Sequence, residues 1–202
     1  MKPASRTLLA VALFVPLAVL LLATFACLPA PVGDPEKSQV DAALAGIYKA
    51  QPTDPADKST ALAILKPWDA KTYLLEYLMV ETKDNKETHE IQHFKAWLTT
   101  IAGKTFLTAQ PTDDFANLVG DTPDKLFWIV LRLDKVPTGL ELRMVNPDSD
   151  FMKNLTKQDE IEAAIKAHVS DNALYGDVLT FKKLGKDDKA QIEEILGKFN
   201  TK

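Results

Sequence analysis

Three residues of one short segment have the donor atoms and the spacing that a metal site needs. His89 and His93 are four residues apart, so they share a face of either a helix or a strand. Glu87 adds a carboxylate on the strand face, and imidazole with carboxylate is a common zinc ligand set. Apolar residues alternate from Phe94 to Leu98 and indicate that the core lies on the opposite face. A solvated histidine pair is therefore the competing interpretation, and we expect neither a metal nor another cofactor.

Other chemistries with short sequence signatures are missing from the chain. It has no Gly-x-Ser-x-Gly elbow and no phosphate-binding Gly-rich loop. The formal net charge is −4, and no cluster of lysine and arginine stands out. Phosphate neutralisation needs such clusters, so nucleic-acid binding is disfavoured. We expect a protein that is not an enzyme.

The only cysteine, Cys27, follows a segment that is organised as an export signal. Lys2 and Arg6 precede an uncharged, mostly apolar run from Leu8 to Phe25, and the small residue Ala26 comes next. This order predicts a signal peptide over residues 1–26, with the mature chain beginning at Cys27. A single thiol cannot form a disulfide within an exported domain, so its presence calls for another explanation.

Residues 23 to 27, Ala-Thr-Phe-Ala-Cys, resemble the lipobox of bacterial lipoproteins, which ends in an invariant cysteine. The resemblance implies that Cys27 carries a thioether-linked diacylglycerol and an acylated amine. More than one acyl chain gives stable anchoring, so the protein would be held on a membrane of the cell envelope. Leu28 follows the cysteine where an aspartate often retains lipoproteins at the inner membrane. The resemblance therefore implies the outer membrane in a cell that has one.

Three other interpretations of this segment remain open. Cleavage after Ala26 would also suit a plainly secreted protein. Without cleavage, the apolar run approaches the roughly 18–20 residues that span a bilayer, although Pro16 interrupts it. In the third interpretation, a cysteine follows the apolar run by chance and carries no lipid.

Removal of residues 1–26 leaves 176 residues, which suits one domain with a sizeable core. Residues 28–37 contain three prolines and one glycine. This composition is typical of a linker, so we predict that residues 27–37 are the lipidated cysteine and its tether. Residues 38–202 then form a single β-rich domain with C-terminal helices.

Alternation of apolar and polar residues between short turns predicts an antiparallel meander. The predicted strands lie near residues 46–48, 61–65, 73–80, 90–101, 105–109, 126–133, 140–144 and 178–182. Helical signals mark a short helix over residues 40–44, a helix after Thr156 and a terminal helix over residues 187–199. The predicted fold class is α+β and mainly antiparallel β: a curled meander sheet or a small barrel, with C-terminal helices.

Leu44-Ala45-Gly46-Ile47-Tyr48 resembles the entry of the lipocalins, in which a helical turn leads into a Gly-x-Trp strand. Tyr48 stands where the tryptophan is usual. The resemblance implies a lipocalin-like barrel. Residues 173–177, Ala-Leu-Tyr-Gly-Asp, are similar to the ends of uncharacterised bacterial lipoproteins of this size. That resemblance implies no assigned activity, so no functional residue can be transferred from it.

The predicted sheet leaves two ways in which this protein could act. If the sheet closes, one face lines an interior that either holds a small apolar ligand or is filled by side chains. Trp97 and Trp128 lie on the opposite faces of their strands and would suit a partner-binding patch. We therefore expect an envelope lipoprotein that binds a small apolar ligand. The alternative is an envelope scaffold or accessory protein that acts through protein–protein contacts.

Overall fold

Eight antiparallel strands form a closed barrel in the computed structural model, which describes residues 27–52, 59–83, 86–112 and 127–199. The strands are β1 (Gly46–Gln51), β2 (Thr60–Pro67), β3 (Tyr73–Lys83), β4 (Lys86–Ile101), β5 (Lys104–Pro111), β6 (Ile129–Val136), β7 (Gly139–Val145) and β8 (Tyr175–Leu184). The predicted fold class is confirmed and has the lipocalin-like outline. The predicted signal peptide lies outside the described residues.

Closure of the barrel depends on the pairing of the first strand with the last. Each strand pairs with its sequence neighbour, and β1 also pairs with β8 from Ile47↔Leu184 to Gln51↔Thr180. The outer hydrogen-bonding edges of the meander are thereby satisfied by each other, which leaves no open sheet edge. The sheet is therefore a barrel and not a curled, open meander.

The two ends of the barrel have different connections. Because the strands alternate in direction, the turns after β2, β4 and β6 lie at one end, which we call the base. The connections after β1, β3, β5 and β7 lie at the other end, which we call the rim. The chain enters β1 from the base, where Leu44 is buried and packs against the interior cluster.

A 3₁₀ turn at Ala42–Leu44 takes the place of the short helix predicted over residues 40–44. The Asp41 carboxylate caps this turn by accepting from the Ala43 amide at 2.9 Å. Ser38 does not cap it, because its hydroxyl accepts from the amide of Leu98 at 3.0 Å. The chain before β1 is thus bonded to the barrel wall.

Residues 28–33, which we call the strap, lie against the outside of the barrel. The amide of Leu28 donates to the Trp128 carbonyl at 2.8 Å, and the Trp128 amide donates back at 3.0 Å. At the other end of the strap, the carbonyl of Val32 accepts from the Trp97 indole at 2.9 Å. Leu28, Ala30 and Val32 are all buried.

The prediction of a tether over residues 28–37 is therefore wrong for the strap. The prolines at 29 and 31 favour an extended backbone, and they have no amide hydrogen that would need a partner. Because Leu28, Ala30 and Val32 alternate with them, the extended segment has one apolar face. That face is buried on the barrel, so the packed domain already includes residue 28.

Helix α1 (Gln158–His168) lies over the strap. The Gly33 amide donates to Glu162 Oε1 at 2.8 Å, and Gln158 Nε2 donates to the Gly33 carbonyl at 3.0 Å. Ile161 and Ile165 of α1 are fully buried in the same outer cluster as the strap. The predicted helix is confirmed, but its N-cap is Lys157 without a side-chain bond, and Thr156 does not cap it.

Helix α2 (Lys189–Gly197) covers another part of the outer wall, and it confirms the predicted terminal helix. Ile195 packs there with Leu62 and Ile64 of β2 and with Leu78 of β3. The barrel therefore has an interior core and two outer apolar clusters, one under each helix. Within the described residues, no helix is long and apolar enough to cross a membrane.

Candidate ligand-binding interior

The two histidines of the predicted metal set lie on the outer face of β4. His89 Nε2 is 3.5 Å from Glu87 Oε2, and its ring centroid is 5.4 Å from that of Phe199. The Lys198 ammonium donates to Glu87 Oε1 at 2.9 Å. This hydrogen bond, followed by one with His89, lowers the pKa of the Glu87 carboxyl. Glu87 is thus engaged in holding the C-terminal segment to β4.

Residues 89–93, His-Glu-Ile-Gln-His, have the His-Glu-x-x-His pattern of helical zinc sites, but they lie on strand β4, where Glu90 faces inward and the two histidines face outward. His93 is not brought into a ligand set with His89 and Glu87. Its carbonyl accepts from the Thr112 amide at 3.0 Å and from the Thr112 hydroxyl at 3.2 Å. Across residues 27–52, 59–83, 86–112 and 127–199, no group of three His, Cys, Asp or Glu side chains is placed as a metal site requires.

Cys27 lies near the rim and is half-buried. Leu28 pairs with Trp128, which directly precedes β6, and β6 begins at the rim. The Cys27 side chain packs against the interior cluster of the barrel. Burial raises the pKa of its thiol to about 11, so little thiolate is present at neutral pH, and nucleophilic chemistry by this thiol is disfavoured.

The predicted tryptophan patch is covered by the chain itself. Trp97 does lie on the outer face of β4, but it is only 1% exposed because the strap packs across it. Trp128 is half-buried and pairs with Leu28. The prediction of a partner-binding surface made of these two side chains is therefore wrong.

The inward faces of all eight strands surround an apolar cavity of about 80 Å³. Alternation along each strand directs every second side chain into this space, as the sequence predicts for Phe94 on β4 and for Leu131 on β6. Two alanines, Ala63 of β2 and Ala109 of β5, line the cavity where larger residues would fill it. The lining is Tyr48, Ala63, Leu65, Leu75, Tyr77, Gln92, Phe94, Leu107, Ala109, Ile129, Leu131, Leu133, Leu140, Leu142, Leu179 and Phe181.

The base end of this cavity is closed, and the polar groups there are paired. Tyr48 is 2% exposed, and its hydroxyl donates to the Leu44 carbonyl at 2.8 Å. The Lys183 ammonium lies 5.5 Å from the centroid of the Tyr48 ring and donates to the Ala43 carbonyl at 2.8 Å. The entry turn, β1 and β8 are thereby joined across the base.

The rim end of the cavity contains the polar lining residues Tyr77 and Gln92. They are partners in the register of β3 and β4. Gln92 Nε2 donates to Glu90 Oε1 of the same strand. Burial, followed by the charges of Glu90 and Glu81, raises the pKa of the Tyr77 hydroxyl to about 12, so this phenol is neutral and able to donate.

Tyr77 and Gln92 are not among the candidate residues that the sequence predicts. The available signal was a polar residue within an apolar alternation, because Gln92 precedes Phe94 and Ala96 on the inward face of β4. A lone glutamine is a weak indication, since the same pattern occurs wherever a strand extends into solvent. The contact with Tyr77 depends on the β3–β4 register, which the sequence alone leaves open.

Comparison of the chain with protein-family models, with curated proteins and with solved structures found no match.

Proposed function

We propose that this protein is an exported lipoprotein of the cell envelope, anchored through Cys27, whose barrel holds a small apolar ligand. The apolar cavity that all eight strands surround carries this proposal. A site of this kind gains affinity by removing apolar ligand surface from water, at about 25 cal/mol per Å². It is also largely preformed, because the strands that surround it are closed into a barrel.

The size of the cavity favours a slim ligand. An apolar cavity of about 150 Å³ is enough for benzene, and this cavity has about 80 Å³. Its lining extends from Tyr48 near the base to Tyr77 near the rim, so the space is drawn out along the barrel axis. A single alkyl chain suits this shape better than a ring system.

The position of Cys27 supports a ligand that comes from the membrane. The cysteine lies near the rim, and the strap begins at the very next residue. An acyl anchor at Cys27 would therefore be attached to the barrel without a flexible linker and would hold the rim close to the bilayer. Apolar molecules concentrate in the bilayer, so the end of the barrel opposite the closed base would face their source.

Substitutions that fill the cavity test the ligand proposal. In the mature chain, Ala63→Leu and Ala109→Leu would each place a larger side chain in the interior, while Ala163→Leu adds the same atoms on the exposed face of α1. We expect the first two to weaken binding of 1-octanol, measured by isothermal titration calorimetry, by about tenfold, which is about 1.4 kcal/mol. The control should bind like the wild type.

Thermal unfolding identifies any variant in which overpacking has disrupted the barrel. If both filling variants unfold, Leu142→Ala enlarges the same cavity and should strengthen 1-octanol binding. Wild-type affinity in folded filling variants, together with native mass spectra that show no co-purified ligand, would contradict the proposal.

One exposed side chain favours the alternative of an accessory protein that acts through protein contacts. Trp68, in the turn between β2 and β3, is 69% exposed at the base. The base faces away from the rim, so a partner there would not compete with the anchor. Photo-crosslinking from position 68 in cells tests this alternative, and the absence of a reproducible adduct would count against it.

A further inference from the structure

The cavity changes character along its axis. Its lining is apolar around the middle of the barrel, and towards the rim Tyr77 and Gln92 face each other across β3 and β4. Gln92 is only 8% exposed. The surface that faces the cavity is itself apolar, so a polar group would meet the Gln92 amide and the Tyr77 hydroxyl just beyond the rim end of the cavity.

Two carboxylates continue the inward face from this point towards the rim. Side chains two residues apart on a strand share a face, so Glu90 follows Gln92 inward on β4, and Glu81 has the parity of Tyr77 on β3. Glu90 accepts from the Gln92 amide, and the charges of both carboxylates act on the Tyr77 hydroxyl. Glu81 and Glu90 are both partly buried.

Basic side chains near this end are more distant from the cavity. Lys86 has the inward parity on β4, but it is exposed and four residues beyond Glu90, about 13 Å along the strand. Lys198 forms its ion pair with Glu87 on the outer face. Among the residues whose side chains the structure describes, the inward groups nearest to the cavity at the rim are therefore neutral donors and negative charges.

We infer that the ligand of the barrel is amphipathic: its alkyl chain occupies the apolar cavity, and its head group is a cation or a hydroxyl that meets Tyr77, Gln92 and Glu90. This inference rests on the proposed function and specifies the ligand class. A carboxylate head would bring a second negative charge beside Glu90, which raises its energy in a partly desolvated site. An ammonium is attracted by Glu90, and a hydroxyl accepts from Tyr77 while donating to the carboxylate.

Three ligands with the same chain and different heads test the inference. Octylamine, 1-octanol and octanoate, kept monomeric, are each titrated by calorimetry into the mature chain carrying Cys27→Ala, which removes the anchor. We expect the amine and the alcohol to bind about tenfold more tightly than the carboxylate at neutral pH.

Matched variants assign this preference to the rim residues. Glu90→Gln should reduce the ratio of amine to carboxylate affinity by at least about threefold. Glu141→Gln makes the same charge change on the outer face of β7 and should leave the ratio unchanged. Tyr77→Phe keeps the ring in the wall and should weaken 1-octanol binding about fivefold. Thermal unfolding confirms that each variant is folded.

The outcomes separate this inference from the proposed function. If all three ligands bind and octanoate binds at least as tightly as octylamine, the head-group inference is wrong and the apolar-ligand proposal stands. If the ratio is the same in wild type and Glu90→Gln, the preference does not arise from the rim carboxylate, which also overturns the inference. If none of the three ligands binds, the proposed function itself fails.

Discussion

Two tyrosines close the base because each combines a buried ring with a satisfied hydroxyl. The Tyr48 hydroxyl donates to the Leu44 carbonyl, and the Tyr73 hydroxyl donates to the Asp41 carbonyl at 3.0 Å. Burial is the first cause of the raised pKa of both phenols, so both are neutral donors. Buried aromatic area and hydrogen bonds together hold the entry turn in place, and each of the two phenol hydroxyls has a partner.

Gly139 is a position at which the fold permits no side chain. A Cβ built on it would lie 1.9 Å from the Phe181 carbonyl oxygen and 2.8 Å from the Lys183 amide nitrogen. Both atoms belong to the β8 backbone, so Gly139→Ala must displace one strand from the other. We expect it to lower the free energy of unfolding by roughly 3 kcal/mol, measured by urea denaturation.

A second glycine provides the control. At Gly103 a Cβ meets nothing within 4 Å, and only its φ of +75° disfavours a side chain. Gly103→Ala should therefore cost about 1 kcal/mol. An equal decrease in the free energy of unfolding for Gly139→Ala and Gly103→Ala would show that β7 does not pack tightly against β8.

Among the elements, the strap is the segment that the sequence describes least well. Its two prolines suggest a linker, but its alternating apolar residues are buried between the barrel and α1. Composition distinguishes extended chain from helix, but it does not show whether an extended chain is free or packed. That distinction requires a partner surface, which here includes Trp97 of β4 and Ile161 of α1.

Removing one apolar anchor of the strap should destabilise the whole domain. Leu28 is 1% exposed, so Leu28→Ala leaves a cavity and should lower the free energy of unfolding by about 2–4 kcal/mol. Pro29→Ala changes the exposed neighbour and should alter it by less than about 1 kcal/mol. Urea unfolding followed by tryptophan fluorescence measures both. A Leu28→Ala effect as small as that of the control would mean that the strap behaves as a free tether.

For the whole molecule, the position of the N-terminal cysteine relative to the barrel matters most. Cys27 lies near the rim, whereas the entry turn closes the base, so the strap runs along the wall from one end of the barrel towards the other. An anchor at Cys27 would orient the whole barrel and not only retain it. The ligand proposal and the anchor proposal are therefore linked through geometry.

Loss of the cysteine should release the protein from the membrane. We expect Cys27→Ala to move the protein to the soluble fraction and to abolish labelling by radioactive palmitate, because its acyl chains supply the anchoring free energy. The wild type, fractionated in parallel, should remain with the membrane and take up the label. A Cys27→Ala protein of mature size that stays on the membrane would contradict lipidation at this residue.

By itself, the sequence determined the elements: all eight strands, both C-terminal helices and the inward positions of residues such as Phe94 and Leu131. These follow from local alternation and periodicity, which act over a few residues. Tertiary structure decided what depends on contacts between distant residues. Pairing of β1 with β8 closed the barrel, burial of Leu28 turned a predicted tether into a strap, and the β3–β4 register joined Tyr77 to Gln92. Each of these contacts depends on which surfaces meet, and no local pattern encodes that.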